Sequence, residues 1–157
     1  MSKLSTCLWF TGEAEDAAKL YVSLLPDSHI DHIQLSPADN PGSKEGSVLV
    51  VDFTLAGQKF VGLNGGDKLE INHAVSTTIY CDDQAEVDRL WEKLGKGGKY
   101  IACGWLKDRW GHHWQITPRM LIENLASPDK AKAKRVFTAM MDMVKLDIAT
   151  LEKAAKG

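Results

Sequence analysis

Apolar and polar positions along this chain change period in an order that repeats. From Leu4 to Phe10 a short, mostly apolar run reads as a strand, broken by Gly12. From Glu13 to Leu25 the residues Ala14, Ala17, Ala18, Tyr21, Leu24 and Leu25 recur at helical spacing, and Pro26-Asp27 ends the run. Glu13, Glu15 and Asp16 sit at the end where the helix dipole favours acids. Ser28–Leu35 reads as a strand and Ser36–Gly46, with its prolines and glycines, as a loop. Ser47–Leu55 and Gln58–Asn64 form a hairpin about Ala56-Gly57, and Gly65-Gly66-Asp67 closes the unit. A strand then returns at Ala74–Cys81. A helix follows over Gln84–Leu94, capped by Asp82 or Asp83 and stopped by Gly95, Gly97 and Gly98. Three short strands complete the second unit, at Lys99–Ala102, Gly104–Asp108 and His113–Thr117.

The predicted order is therefore βαβββ twice. Shifting the chain by 70 residues lays Leu20-Tyr21 on Leu90-Trp91, Leu24 on Leu94 and Lys19 on Arg89, which supports an internal duplication. The expectation is one α+β domain over 1–157, with modules at about 3–68 and 72–118. The two modules would form a cupped mixed sheet with the helices outside. A helical tail follows at about 119–157. In it Val136, Phe137, Met140, Met141, Val144, Ile148 and Leu151 form an apolar stripe, suited to packing on the sheet or to a subunit interface.

Strand side chains alternate between faces, and the more apolar row must cover the helices. In the strand at Ala74–Cys81, Val75, Thr77, Ile79 and Cys81 take the helix side, leaving Ser76, Thr78 and Tyr80 for a cup. In Ser47–Leu55 the cup row holds Asp52. In Gln58–Asn64, Val61 and Leu63 go to the helices and Phe60, Gly62 and Asn64 to the cup. Adding Ser5, Cys7 and Trp9 from the first strand, and His113 and Gln115 from the last, gives an interior with aromatic rings and scattered polar groups.

Composition narrows the classes. The chain has 157 residues, 25% charged, and a net charge of −2, which lacks the excess of basic residues that a sequence-independent nucleic-acid binder needs. No apolar run reaches the roughly 18 residues of a membrane span, and the N-terminal stretch lacks the pattern of a secretion signal. Cys7, Cys81 and Cys103 are odd in number and far apart, so a disulfide framework is not expected and a reducing, cytoplasmic location is.

Four segments carry a resemblance: CLWFTGEAEDAAKLYVSLLP, VDFTLAGQKFVGLNGG, CDDQAEVDRLWEKLGKGGKY and CGWLKDRWGHHWQITP. Together they resemble the PhnB-like family, often labelled 3-demethylubiquinone-9 3-methyltransferase. That family lies within the vicinal oxygen chelate superfamily of glyoxalases, bleomycin-resistance proteins and extradiol dioxygenases. The resemblance implies paired βαβββ modules around a cup, usually in a homodimer. Metal-dependent relatives carry His, Gln or Glu on strands one, four, five and eight. The matching positions here are Ser5, Asn64, Ser76 and Gln115, and serine is a poor ligand for a divalent transition metal.

No cofactor and no metal are therefore expected. A Rossmann-type methyltransferase needs a glycine-rich turn opening a helix after a strand, and neither Gly65-Gly66 nor Gly95-Lys96-Gly97-Gly98 fits. His112 and His113 face apart on one strand, and His29 and His32, three residues apart, do so too. His73 lies at a loop edge. Asp52 and His113 are candidates for a general acid or base, though a merely hydrogen-bonded histidine is the commoner case. Trp9 and Trp105 suit an aromatic wall for a ligand; Trp110 and Trp114 suit packing. Lys107-Asp108-Arg109 reads as a solvated turn. The first reading is a metal-free small-molecule-binding protein with Ser5, Cys7, Trp9, Asn64, Ser76, Thr78, Tyr80, Trp105 and Gln115 lining its cup. The alternative is an enzyme on a small hydrophobic or oxygenated substrate: a lyase, a dioxygenase or, by family label only, a methyltransferase.

Overall fold

The structure, a computed structural model, describes residues 3–157. The chain divides into two units, Met1–Glu70 and Ile71–Gly157. Each forms its own four-stranded sheet of the same design. In the first, β1 (Thr6–Phe10), α1 (Ala14–Val22), β2 (His29–Leu35), β3 (Val48–Leu55) and β4 (Gln58–Asn64) give the order β1-β4-β3-β2, with β1 parallel to β4 and the other pairs antiparallel. In the second, β5 (Thr77–Cys81), α2 (Gln84–Gly95), β6 (Lys99–Tyr100), β7 (Trp105–Lys107) and β8 (His113–Pro118) give β5-β8-β7-β6, with β5 parallel to β8. The fold is α+β and consists of the two βαβββ modules, followed by α3 (Arg119–Leu125), α4 (Lys130–Met141) and α5 (Ile148–Lys156).

The helices form where the sequence places small and apolar residues on one face. In α1, Ala14, Ala17, Ala18 and Tyr21 are buried. The short alanine side chains let the helix lie close on the sheet: a Cβ at Gly62 would come within 3.2 Å of the Ala14 Cβ. In α2, Val87, Leu90, Trp91 and Leu94 are buried. Its start is doubly satisfied, because Asp83 accepts from the Glu86 amide at 2.8 Å while Glu86 accepts from the Asp82 amide at 2.8 Å.

The tail is three helices rather than one long stripe. Asp129 and Asp147 cap α4 and α5 and so mark the breaks. Leu121, Val136, Leu146 and Leu151 make the core of this part, and Gln84 of α2 ties it down by donating to the Leu146 carbonyl and accepting from the Ile148 amide. Phe137, Met141 and Val144, from the expected stripe, remain about half exposed.

The strand pairing corrects two expectations of which side chains share a face. Val61 is paired with Cys7 and Asp52, and Leu63 with Trp9 and Val50, so both lie on the face away from α1. Phe60, Gly62 and Asn64 lie on the helix face, which corrects the expected assignment of that strand. Val61 and Leu63 are the more apolar row, so polarity alone chooses the wrong face here. The second correction comes from an irregularity in β2 between Ile30 and His32. The extra residue, Asp31, brings His29 opposite Thr54 and His32 opposite Asp52, so the two histidines share a face instead of facing apart.

Candidate functional site

In the second sheet the register gathers most of the expected residues on the face away from α2. Thr78 pairs with Gln115, Gln115 with Trp105, and His113 with Lys107. Ser76 joins them, since its hydroxyl accepts from Gln115 Nε2 at 2.9 Å. Tyr80 is on the same side but 47% exposed, with the Arg119 guanidinium 5.8 Å from its ring centre.

His113 is the centre of this face. It is only 7% exposed, and its Nδ1 is buried with no hydrogen-bond partner. An orphaned buried polar atom is uncommon in a folded protein. The His73 ring lies 5.9 Å from the His113 ring and 6.4 Å from the Trp105 ring, edge-on to the indole. Burial holds the His113 imidazole below its ordinary pKa, and the neighbouring His73 and Lys107 push it the same way.

Stability therefore depends on pH through this ring. Above about pH 7 the imidazole is neutral in both folded and unfolded chains and contributes nothing. As pH falls through about 6.5, the unfolded chain takes up a proton that the folded one resists, so stability declines towards the folded-state pKa. Asp108 opposes the shift, while His73, Lys107 and His112 favour it. The urea midpoint should fall between pH 7.5 and 5.5, and the His113→Gln chain should show a smaller fall. Equal declines in the two chains would remove His113 as the cause.

The first sheet offers less. Cys7 is exposed, and its thiol is raised by burial against its surroundings, opposite to what a nucleophile needs. Trp9 is half-buried. Its indole donates to the Asp67 carbonyl at 2.8 Å, and its ring lies so close over Gly65 that a Cβ there would sit 2.0 Å from it. Ser5 is exposed ahead of β1. Asp52 lies opposite His32 on the same face. Asn64, expected in the cup, is 3% exposed on the helix side. Its Oδ1 accepts from the Ala14 amide and its Nδ2 donates to the Val48 carbonyl, each at 3.0 Å, so its polarity is spent holding the start of α1.

Two other polar clusters are internally satisfied. Asp31 accepts from Lys59 at 2.6 Å and from Thr54 at 2.7 Å, which holds its carboxyl below the usual range. A pocket of about 390 Å³ at the N-terminal end of α1 is lined by Glu13, Glu15, Asp16 and Lys44 among others. Its carboxylates complement the helix dipole, which accounts for them without a ligand. Asp108 is not a solvated turn residue. It is 2% exposed, its Oδ1 accepts from the Trp110 and His112 amides, and its Oδ2 accepts from Trp114 Nε1.

Sequence reasoning left out residues of the second face, Lys107 and His73 among them. Lys107 is two positions from Trp105 on a strand, so alternation itself would have placed it there. His73 precedes β5, and no periodicity reaches it.

The paired parallel-closed βαβββ sheets define the vicinal oxygen chelate fold class. Within it, the chain belongs to the family described as 3-demethylubiquinone-9 3-methyltransferase, whose model matches residues 2–117. A PhnB protein from Bacillus cereus is 32% identical, covers 74% of this chain and 99% of its own, and superposes with a TM-score of 0.67. Protein PA1353 from Pseudomonas aeruginosa is 17% identical, with a TM-score of 0.63 over 75% of this chain and 98% of its own. The fosfomycin resistance protein FosX from Mesorhizobium loti is 18% identical, with a TM-score of 0.55 over 81% of this chain and all of its own. The last two share the fold. No curated protein sequence matches this chain.

The groups that the superfamily and the family description imply do not fit these residues. At the positions of a divalent metal's ligands, Ser76 is bonded to Gln115, Asn64 is turned into the helix start, and Ser5 offers a neutral hydroxyl. No group of three or more His, Cys, Asp or Glu side chains among the described residues is arranged to hold a metal ion. Nor does a glycine-rich turn link a strand to a helix as a Rossmann-type nucleotide site requires: Gly65-Gly66 precedes a segment without helix, and Gly95, Gly97 and Gly98 follow or end α2. No helix among the described residues is long and apolar enough to cross a membrane.

Proposed function

We propose that this chain is a metal-free small-molecule-binding protein that takes its ligand on the face of the second sheet away from α2. The observation that carries this reading is His113, buried yet with an unpartnered Nδ1, set beside His73 and Trp105. A closed core would satisfy that atom, and a plain surface would hydrate it. A flat ring with a polar edge, laid on Trp105, would supply both the contact area and the missing hydrogen bond. The hydrogen-bonded Ser76–Gln115 pair offers a further polar contact. The serine-bearing positions support the metal-free part of the reading, and the family resemblance brings a homodimer with it.

An enzyme reading rests on the same ring. A neutral imidazole with a bare nitrogen is a competent general base, and it needs a bound substrate to act on.

The test is a thermal-shift screen of small aromatic and oxygenated compounds on the intact protein, followed by calorimetry of the hits. A saturable rise in Tm is expected, lost in His113→Gln and in Trp105→Leu. Hits that stabilise both variants as well as the parent would place the ligand elsewhere. Elemental analysis of the purified protein checks the other half: a stoichiometric transition metal whose removal abolishes binding would overturn the metal-free reading.

A further inference from the structure

We propose that the ligand of this face is an organic anion, with its acidic group held at His113 and Lys107 and its apolar body against Trp105. The inference rests on the binding reading above and names the class of molecule it takes.

The register supplies the argument. Lys99 on β6 pairs with Lys107 on β7, and Lys107 pairs with His113 on β8. Antiparallel partners project to one face as close neighbours, so these three side chains form a single row across the sheet. Two lysines directly opposite one another repel, and proteins commonly place a carboxylate in or beside such a row. None stands in this one. The next row, one pleat away, is Trp105 opposite Gln115, which is neutral. Asp108, adjacent in sequence, alternates to the other face and is committed to the Trp110 and His112 amides and the Trp114 indole. Among the described residues neither Lys99 nor Lys107 makes a salt bridge.

His113 and His73 add two imidazoles beside this row. An anion at the row would draw a proton onto His113 and turn its orphaned Nδ1 into a charge-assisted donor. One guest would thus answer the lysine repulsion and the buried nitrogen together. Trp105, two residues from Lys107 on the same strand, places an indole beside the acid site and gives a planar body somewhere to lie. A carboxylate and a phosphonate share this chemistry, and the probes below separate them.

The experiment uses the intact protein and four probes: benzoate, phenylphosphonate, inorganic phosphate and neutral benzamide. Histidine ring resonances, with His113 assigned from His113→Gln, report both affinity and protonation. Benzoate or phenylphosphonate should bind at least ten-fold more tightly than benzamide, raise the apparent pKa of His113, and weaken as salt is added. Lys107→Met should remove most of that preference, and Lys107→Arg should restore it. The salt dependence and the His113 shift are read on the unmutated chain, so a poorly folded variant does not decide the matter. Benzamide binding as tightly as the two acids, or a screen whose only ligands are neutral, would overturn the anion while leaving the binding reading intact. Failure of every compound of either kind would overturn the binding reading itself. Inorganic phosphate binding as tightly as phenylphosphonate would overturn the placement of an apolar body on Trp105.

Discussion

Asp108→Ala should lower stability by about 4 kcal/mol, a large share of the roughly 5–15 kcal/mol that holds a domain folded. The carboxylate is buried and accepts hydrogen bonds at 2.9 Å from the Trp110 amide, 3.0 Å from the His112 amide and 2.9 Å from Trp114 Nε1. A hydrogen bond to a charged group is worth about 1.5–3 kcal/mol net, and an abandoned buried donor costs about 1–3 kcal/mol. These terms overlap, because the turn between β7 and β8 will relax towards water, and removing one partner of a buried charged cluster typically costs about 3–5 kcal/mol in total. Asp108→Asn separates the contributions. Its remaining oxygen can serve the two amides, but its NH2 then meets the indole N–H, donor against donor. About half the loss should remain in that variant. Trp114→Phe removes the opposed donor, so the double variant should be more stable than the sum of the two single losses predicts. Urea unfolding of the parent and the four variants measures all of this. An Asp108→Ala loss below about 1 kcal/mol would show that the turn is held by its apolar neighbours instead.

Much of the fold was legible because periodicity reports burial, and burial is what builds these elements. The βαβββ order, the helix faces and the residues shared by β5, β7 and β8 follow from alternation once the helix side is known. The errors fall where one polar side chain serves the backbone of a distant segment. Asp108 lies in a charged tripeptide and reads as solvated, yet it organises the turn that carries His113. Asn64 ends a strand whose more apolar row, Val61 and Leu63, faces away from the helix, and its partners lie 50 and 16 residues away. The bulge at Asp31 has no spacing signal at all. It is stabilised by Thr54 and Lys59 from neighbouring strands, and it moves His29 onto the face of His32. The candidate site shows the same limit. The Ser76–Gln115 pair and the Trp105 row could be read from alternation, while His73 is brought to His113 by a segment outside any strand.

Asn64 gives the second large effect and the sharpest separation between a structural and a binding role. Replacing it with Leu should cost about 2–4 kcal/mol. The first turn of α1 has no side-chain cap of its own, since Glu13 makes none. Asn64 supplies the acceptor for the Ala14 amide from the end of β4, at 3.0 Å, and donates to the Val48 carbonyl at the start of β3. Leucine fills much the same volume, so the cavity contribution is small and the loss measures two abandoned backbone groups at a site only 3% exposed. Asn64→Asp keeps the acceptor and places a charge at the helix N-terminus, which is worth about 0.3–1 kcal/mol there. It loses the donor and turns a carboxylate towards the Val48 carbonyl, so it should fall between the parent and the Leu variant. Urea unfolding gives the ranking, and amide exchange at Ala14 gives its cause, because that proton should lose protection in the Leu variant ahead of the β3–β4 ladder. A ligand-contacting Asn64 predicts the reverse pattern, with unchanged stability, unchanged Ala14 protection and lost affinity. Binding measured at Trp105 should survive the substitution wherever the chain remains folded. Affinity lost without loss of stability would return Asn64 to the ligand and leave the start of α1 to be held by its packing alone.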